Sequence, residues 1–229
     1  MERKFEFSID EYYHVYNRGT DRRLIFVDDV DREHFIKLLY LCNGSRRVEL
    51  RLLPKEQSPF TWDHGETLVD IGSYCLMPNH FHLLLHEKTE GGISKFMLKL
   101  VTAYVMFFNR RHKRSGTLFE GNFKAIHAND EHYLEYLFAY IHLNPIKLLQ
   151  PDWKDVGINN LTNAKHFLES YTFSSYIDYI GNTRDQAGIL NRKAFPDYFD
   201  NVNNFSDFHD EWLQYGSEYE IYGREKITT

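Results

Sequence analysis

Cysteine is nearly absent. Cys42 and Cys75 are the only two in 229 residues, and no C-x-x-C spacing occurs. A disulfide framework and a thiolate zinc site are both disfavoured, and the pair reads as small buried hydrophobes. No apolar run approaches the roughly 20 residues that a membrane-spanning helix needs. The charged start Met1-Glu2-Arg3-Lys4 has no apolar segment behind it, so a cytoplasmic protein is expected. A basic excess is missing as well: 27 Lys+Arg stand against 33 Asp+Glu, a net charge of −6. That balance argues against a generally basic nucleic-acid binder. No period of 20–50 residues repeats, which excludes a solenoid.

What is present is a globular chain with 42% hydrophobic and 16% aromatic residues, enough to bury a core. Its charge is unevenly spread. Residues 1–150 hold 20 Lys+Arg and 20 Asp+Glu; the remainder holds 7 and 13, so the whole negative excess lies after Pro151. Ten of the twelve histidines also fall in the first 150 residues. Chemistry is therefore expected in a domain over 1–150, followed by a helical, acidic extension over 151–229.

Tyr12 to Gly19 is rich in β-formers and closed by glycine, and predicts the first strand. Asp28-Asp29-Val30-Asp31 opens a helix whose stripe is Phe35, Leu38, Leu39 and Cys42. Residues 48–53 alternate and predict a short strand. Thr67–Leu76 predicts a strand leading into the Pro78-Asn79 turn, so Leu68–Leu76 and His80–His86 should form a hairpin. Beyond Gly91-Gly92, Ile93, Met97, Leu100, Tyr104 and Phe108 recur at helical steps. Thr117–Ile126 predicts a further strand, with Gly121 marking a bulge or a close approach of another chain. Asn129-Asp130-Glu131 caps a helix carrying Tyr133, Tyr136 and Tyr140, and Pro145 ends it. Aromatics over 167–180 and 194–212 supply faces for packed helices.

The stretch Met77-Pro78-Asn79-His80-Phe81-His82 carries the chemistry. Residues two apart on a strand share a face, so His80 and His82 project together, half of a divalent metal site. Asn144 lies four residues past Tyr140, one helical turn on. Two imidazoles and an amide oxygen suit Mg²⁺ or Mn²⁺ with water and phosphate oxygens completing the shell. His64 is a spare candidate ligand. A phenol beside such a phosphate can act as a nucleophile, although spacing alone does not choose among Tyr133, Tyr136 and Tyr140. The basic run Asn109 to Gly116 has Phe107, Phe108, Phe119 and Phe123 on either side, which suits phosphates and stacked bases. Candidate DNA contacts are Arg18, Arg22, Arg23, Arg110, Arg111, Lys113, Arg114 and Lys124.

These motifs, in order, resemble a known family. His80-Phe81-His82 matches the histidine–hydrophobic–histidine (HUH) motif of single-tyrosine transposases. Tyr13-His-Val-Tyr-Asn-Arg-Gly, Phe108-Asn-Arg-Arg-His with Ser115-Gly-Thr-Leu-Phe-Glu-Gly, and Tyr140-Ile-His-Leu-Asn-Pro145 look like the REP-associated tyrosine transposases. The resemblance covers about the first 150 residues and extends to Tyr171-Thr-Phe-Ser-Ser-Tyr176. It implies an α+β, ferredoxin-like HUH nuclease fold: an antiparallel sheet with helices on one face. It implies His80, His82 and Asn144 as metal ligands and Tyr140 as nucleophile. The implied substrate is single-stranded or hairpin DNA, resembling repetitive extragenic palindromes, cut to a 5′-phosphotyrosine and a free 3′-OH. Cytoplasmic action, association with the nucleoid when DNA is bound, and a homodimer as one of the assemblies fall within the same expectation. Asn122 departs from the pattern, since relatives commonly carry arginine there, and the long acidic tail departs as well. Two other functions stay open: a hairpin-binding regulator that does not cut, and a metal-dependent RNA phosphodiesterase with water as nucleophile.

Overall fold

The computed structural model describes residues 6–46, 57–199 and 201–227. The strand expected over 48–53 lies outside the described residues. The elements are β1 (Tyr12–Arg18), α1 (Asp29–Leu41), β2 (Asp70–Met77), β3 (His80–His86), α2 (Gly92–Arg111), β4 (Lys124–His127) and α3 (Glu131–His142). After them come α4 (Ile146–Leu149), α5 (Trp153–Val156), α6 (Leu161–Ser170), α7 (Tyr176–Tyr179) and α8 (Val202–Ile227), with short 3₁₀ turns between. The strands form one sheet in the order β2-β3-β1-β4, every adjacent pair antiparallel. With one helix after β1 and another after β3, that order is the ferredoxin-like α+β arrangement.

Local chemistry sets these elements. Asp28 caps α1 by accepting from the Asp31 amide, and Asp130 caps α3 by accepting from that of Tyr133, each satisfying one otherwise orphan helical N–H. The buried Glu87 carboxylate does the same for α2, accepting from the Gly92 and Ile93 amides at 3.0 and 2.7 Å. The final predicted strand is shorter than its composition suggested. Residues 117–123 are mostly irregular, with one bridge from Phe119 to Gly19, and β4 begins at Lys124. Gly121 takes φ +74° with open space where a Cβ would stand, so it serves a left-handed turn, and its carbonyl accepts from Asn17 Nδ2 of β1 at 3.3 Å.

Side chains alternate across the sheet and divide the core in two. Tyr13, Val15, Phe81, Leu83 and Leu85 pack with Phe35, Leu39, Phe96, Leu100 and Tyr104 of α1 and α2. Fully buried Phe81 lies 5.0 Å from Phe35, ring centre to ring centre. Burial of this kind is worth about 3–5 kcal/mol against alanine. The opposite face is covered too, contrary to the expectation of helices on one side. Cys75, Met77 and Leu84 pack there with α3 and with Trp153, Leu168, Tyr176, Phe195 and Phe205 of the tail. Gly72 allows this approach: a Cβ there would stand 2.7 Å from the Phe195 ring, and the Gly72 carbonyl accepts from the Tyr179 hydroxyl at 2.8 Å. Both cysteines are buried thiols. Among the described residues, no helix is long and apolar enough to cross a membrane.

Candidate functional site

The site lies on the tail-side face of the sheet, where β3, β1 and the end of α3 meet. The turn before β3 is anchored on both sides. Pro78 O accepts from the Ile25 and Phe26 amides, and Asn79 O from that of Gly19. Strand alternation then puts His80 and His82 on one face, as their spacing predicts, with ring centroids 4.9 Å apart. Each imidazole has one nitrogen engaged: His80 Nδ1 meets Asn79 Oδ1 at 2.6 Å, and His82 Nδ1 meets His14 Nε2 at 2.8 Å. Nε2 of each ring is thus the candidate metal-binding nitrogen. Burial, aided by the charges of Lys147 and Arg18, lowers the His80 pKa to about 4. Burial, with His80, His14 and two lysines adding to it, holds that of His82 well below the ordinary value. Both rings are neutral at physiological pH, the state a metal ligand requires.

Of the three tyrosines on α3, Tyr140 is the one presented to this pair. It is half-buried, with its ring 5.5 Å from His82 and 83° from coplanar. Tyr133 and Tyr136 are buried, and burial raises the Tyr133 pKa further, which makes it a poor source of phenolate. The regular helix stops at His142, before Pro145. Asn144 still turns back, its Nδ2 donating to the Tyr140 carbonyl at 2.7 Å. Its Oδ1 is buried and has no hydrogen-bond partner among the described residues. An orphaned amide oxygen of this kind costs free energy unless something else satisfies it. Two neutral imidazoles and an amide oxygen are donor types that could serve Mg²⁺ or Mn²⁺. No cluster of three or more His, Cys, Asp or Glu suited to a metal occurs among the described residues. His64 is not one of these donors. That ring packs 4.4 Å from Tyr40 of α1, with Nδ1 against its own chain at Gly65 O.

The predicted cations divide into two groups. Arg18 pairs directly across the sheet with His80, and Lys124 with Tyr16, which in turn faces His82. Both therefore share the face of the histidines. Arg18 forms an exposed ion pair with Glu120. Arg22, Arg110 and Lys113 are exposed, and Arg23 pairs with Asp21 at 3.3 Å. Arg111 and Arg114 are engaged inside the fold instead. Arg111 binds Asp28 at 2.7 Å and the fully buried Asp31 at 2.6 Å. Arg114 donates to Asn109 Oδ1 and the Thr117 carbonyl while lying over Phe108.

Sequence reasoning overlooked His14, Lys147 and Lys154. His14 shares the alternation of Tyr12 and Tyr16, which was a readable signal. Lys154 Nζ lies 5.1 Å from the centre of the Tyr140 ring. With Tyr136, Trp153 and Trp212 it lines a small cleft beside Tyr140 and Asn144.

Comparison with known proteins points the same way. Residues 64–144, which contain both histidines, Tyr140 and Asn144, match the family model described as "Transposase IS200 like". The match relates this region to IS200-like transposases. No curated protein matches the chain. Among solved structures it is similar to one described as "Structure of the REP associates tyrosine transposase bound to a REP hairpin". That similarity is 12% identity with a TM-score of 0.44, over 88% of this chain and 92% of the other. A likeness so distant adds nothing to what the sheet order already establishes.

Proposed function

We propose that this protein binds single-stranded DNA folded into hairpins and cuts it by transesterification through Tyr140. The observation that carries this reading is the placement of the Tyr140 ring against His82, with the orphaned Asn144 oxygen one turn further on. The match to IS200-like transposases across the same residues supports it.

In this reading Tyr140 Oη bonds to phosphorus as the P–O3′ bond breaks. The phenolic proton leaves to solvent, and the departing 3′ oxygen takes one up. A 5′-phosphotyrosine and a 3′-hydroxyl result, and the retained ester permits rejoining to another strand. His80, His82 and Asn144 would hold Mg²⁺ or Mn²⁺, which when bound supplies positive charge against the phosphate oxygens. Lys154, over the Tyr140 ring, stabilises negative charge on the phenol. Arg18, Arg22, Lys124, Arg110 and Lys113 provide phosphate contacts, and Arg23 reinforces them. Arg111 and Arg114 shape that surface through the fold. The protein acts in the cytoplasm on nucleoid DNA, and a dimer is compatible with a site assembled from one chain.

The test is incubation with hairpin oligonucleotides and Mn²⁺, followed by denaturing electrophoresis. A protein band shifted upward, and lost in Tyr140→Phe, is the expected result. Nicked products without an adduct would indicate water as nucleophile. Tight binding with no nicking at any divalent metal would favour the second reading, a hairpin-binding regulator. The exposed Asn122, which departs from the arginine that the family resemblance implies, is the observation that favours it.

A further inference from the structure

His14 has no role in the reading above, yet it is placed where one is needed. It sits on β1, 1% exposed, with its ring 5.0 Å from that of His82 and 23° from parallel. Its Nε2 meets His82 Nδ1 at 2.8 Å, and its own Nδ1 has no partner among the described residues. The same ring meets Tyr140 edge-on at 5.5 Å. One buried imidazole thus touches a candidate metal ligand through a hydrogen bond and the candidate nucleophile through a T-shaped ring contact.

Only one proton can lie between the two facing nitrogens, and its position decides what His82 offers on its other side. If His82 Nδ1 carries it, His82 Nε2 is a bare lone pair; if His14 Nε2 carries it, His82 Nε2 holds a proton and cannot ligate. We infer that His14 is a positioning residue: its Nε2 accepts from His82 Nδ1–H, fixing the tautomer and ring plane that turn the His82 Nε2 lone pair toward the site. Its own proton then resides on Nδ1. A partner of this kind on the far nitrogen of a ligating histidine typically changes metal affinity about 10–100-fold when removed. Among the described residues no carboxylate contacts His14, so the support is neutral and adds no negative charge beside a DNA phosphate.

The inference rests on the proposed site, and the test separates the two. Long-range ¹H–¹⁵N spectra of the intact wild-type chain, with and without Mg²⁺, read the tautomers directly. The expected result is His82 protonated at Nδ1 and His14 protonated at Nδ1, in both conditions. A proton on His82 Nε2 in the presence of Mg²⁺ overturns the inference, even where Tyr140-dependent nicking persists. Absent Mg²⁺ binding with the stated tautomers would instead count against the site and leave the hydrogen bond assigned. In titrations followed by Mn²⁺ electron paramagnetic resonance, His14→Phe should bind Mn²⁺ about 10–100-fold more weakly. Its metal-free hairpin affinity should be unchanged. His14→Gln, whose amide oxygen can accept from His82, should recover part of the loss. Wild-type Mn²⁺ affinity in folded His14→Phe, or no recovery in folded His14→Gln, overturns it. Should His14→Phe fail to fold, the spectra of the wild type decide.

Discussion

The ring of Tyr140 meets that of His82 edge-on, centroids 5.5 Å apart and planes at 83°. Tyr140 comes from the last turn of α3, and His82 from the middle of β3. Their meeting depends on the sheet face, the helix and the tail packing as one layer. The half-buried phenol of Tyr140 can meet a substrate, whereas Tyr133 and Tyr136 are buried.

Tyr140→Phe removes one oxygen and leaves the ring contacts with His82, His14 and Tyr136 in place. Nicking of a hairpin oligonucleotide with Mn²⁺ should fall by on the order of a thousandfold or more, as expected on losing a nucleophile. The covalent adduct should vanish, and hairpin affinity should stay within about twofold. Adduct formation by the variant at the wild-type rate would show that another group attacks.

Arg110 and Arg111 are neighbours with opposite expected phenotypes. Arg111→Ala deprives the fully buried Asp31 of a charged partner, at a cost of about 2–3 kcal/mol. At this size that lowers the melting temperature by about 5–10 °C. Arg110→Ala should change stability by less than about 0.5 kcal/mol and weaken hairpin binding, with a shallower salt dependence. Calorimetry and binding titrations on both variants check the pair; equal melting temperatures would refute the internal role of Arg111.

The basic run shows where the sequence stops being informative. Its composition is visible, but which cations face water depends on Asp28 and Asp31 from another helix. The histidine pair was legible because a period of two fixes its face without knowledge of the fold. The β1 alternation held the same signal for His14, which sequence reasoning did not use. Its hydrogen bond to His82 required the β1–β3 register, a long-range property. The loop over 117–123 reads as a strand by composition, but the left-handed Gly121 ends pairing there. The tail's aromatics announced packing, and only the structure shows that they cover the sheet's second face.

Acid should destabilise the fold along a defined window. Burial lowers the pKa of His14 to about 3 and of His209 to about 4, and holds His82 and His142 well below the ordinary value. Above about pH 6.5 these groups are neutral in both the folded and unfolded states, and they add no pH dependence. Below it the unfolded chain takes up protons that the folded chain refuses. Stability is therefore lost as pH falls from about 6.5 toward 4, by up to about 1.4 kcal/mol per unit for each such histidine. Urea midpoints should be level between pH 8 and 7 and fall steeply between 6 and 5. A level midpoint at pH 5 would contradict the burial of these rings.

Lys154 gives the most direct test of electrostatics at the proposed nucleophile. Its ammonium lies 5.1 Å from the centre of the Tyr140 ring and 5.6 Å from that of Trp153, and its charge also reaches His82. As phenolate character develops in the attack on phosphorus, that cation faces growing negative charge and its stabilisation increases. An interaction stronger in the transition state than in the ground state acts on kcat more than on binding. Lys154→Met keeps the chain length and most of the packing while removing the charge. Single-turnover nicking should slow by about 10–100-fold, equivalent to ~1.4–2.8 kcal/mol, with hairpin affinity reduced less than about threefold. Lys154→Arg should restore part of the rate, because a guanidinium can also lie over the ring. An equal loss in binding and rate would assign Lys154 to DNA contact alone, and an unchanged rate would remove it from the chemistry.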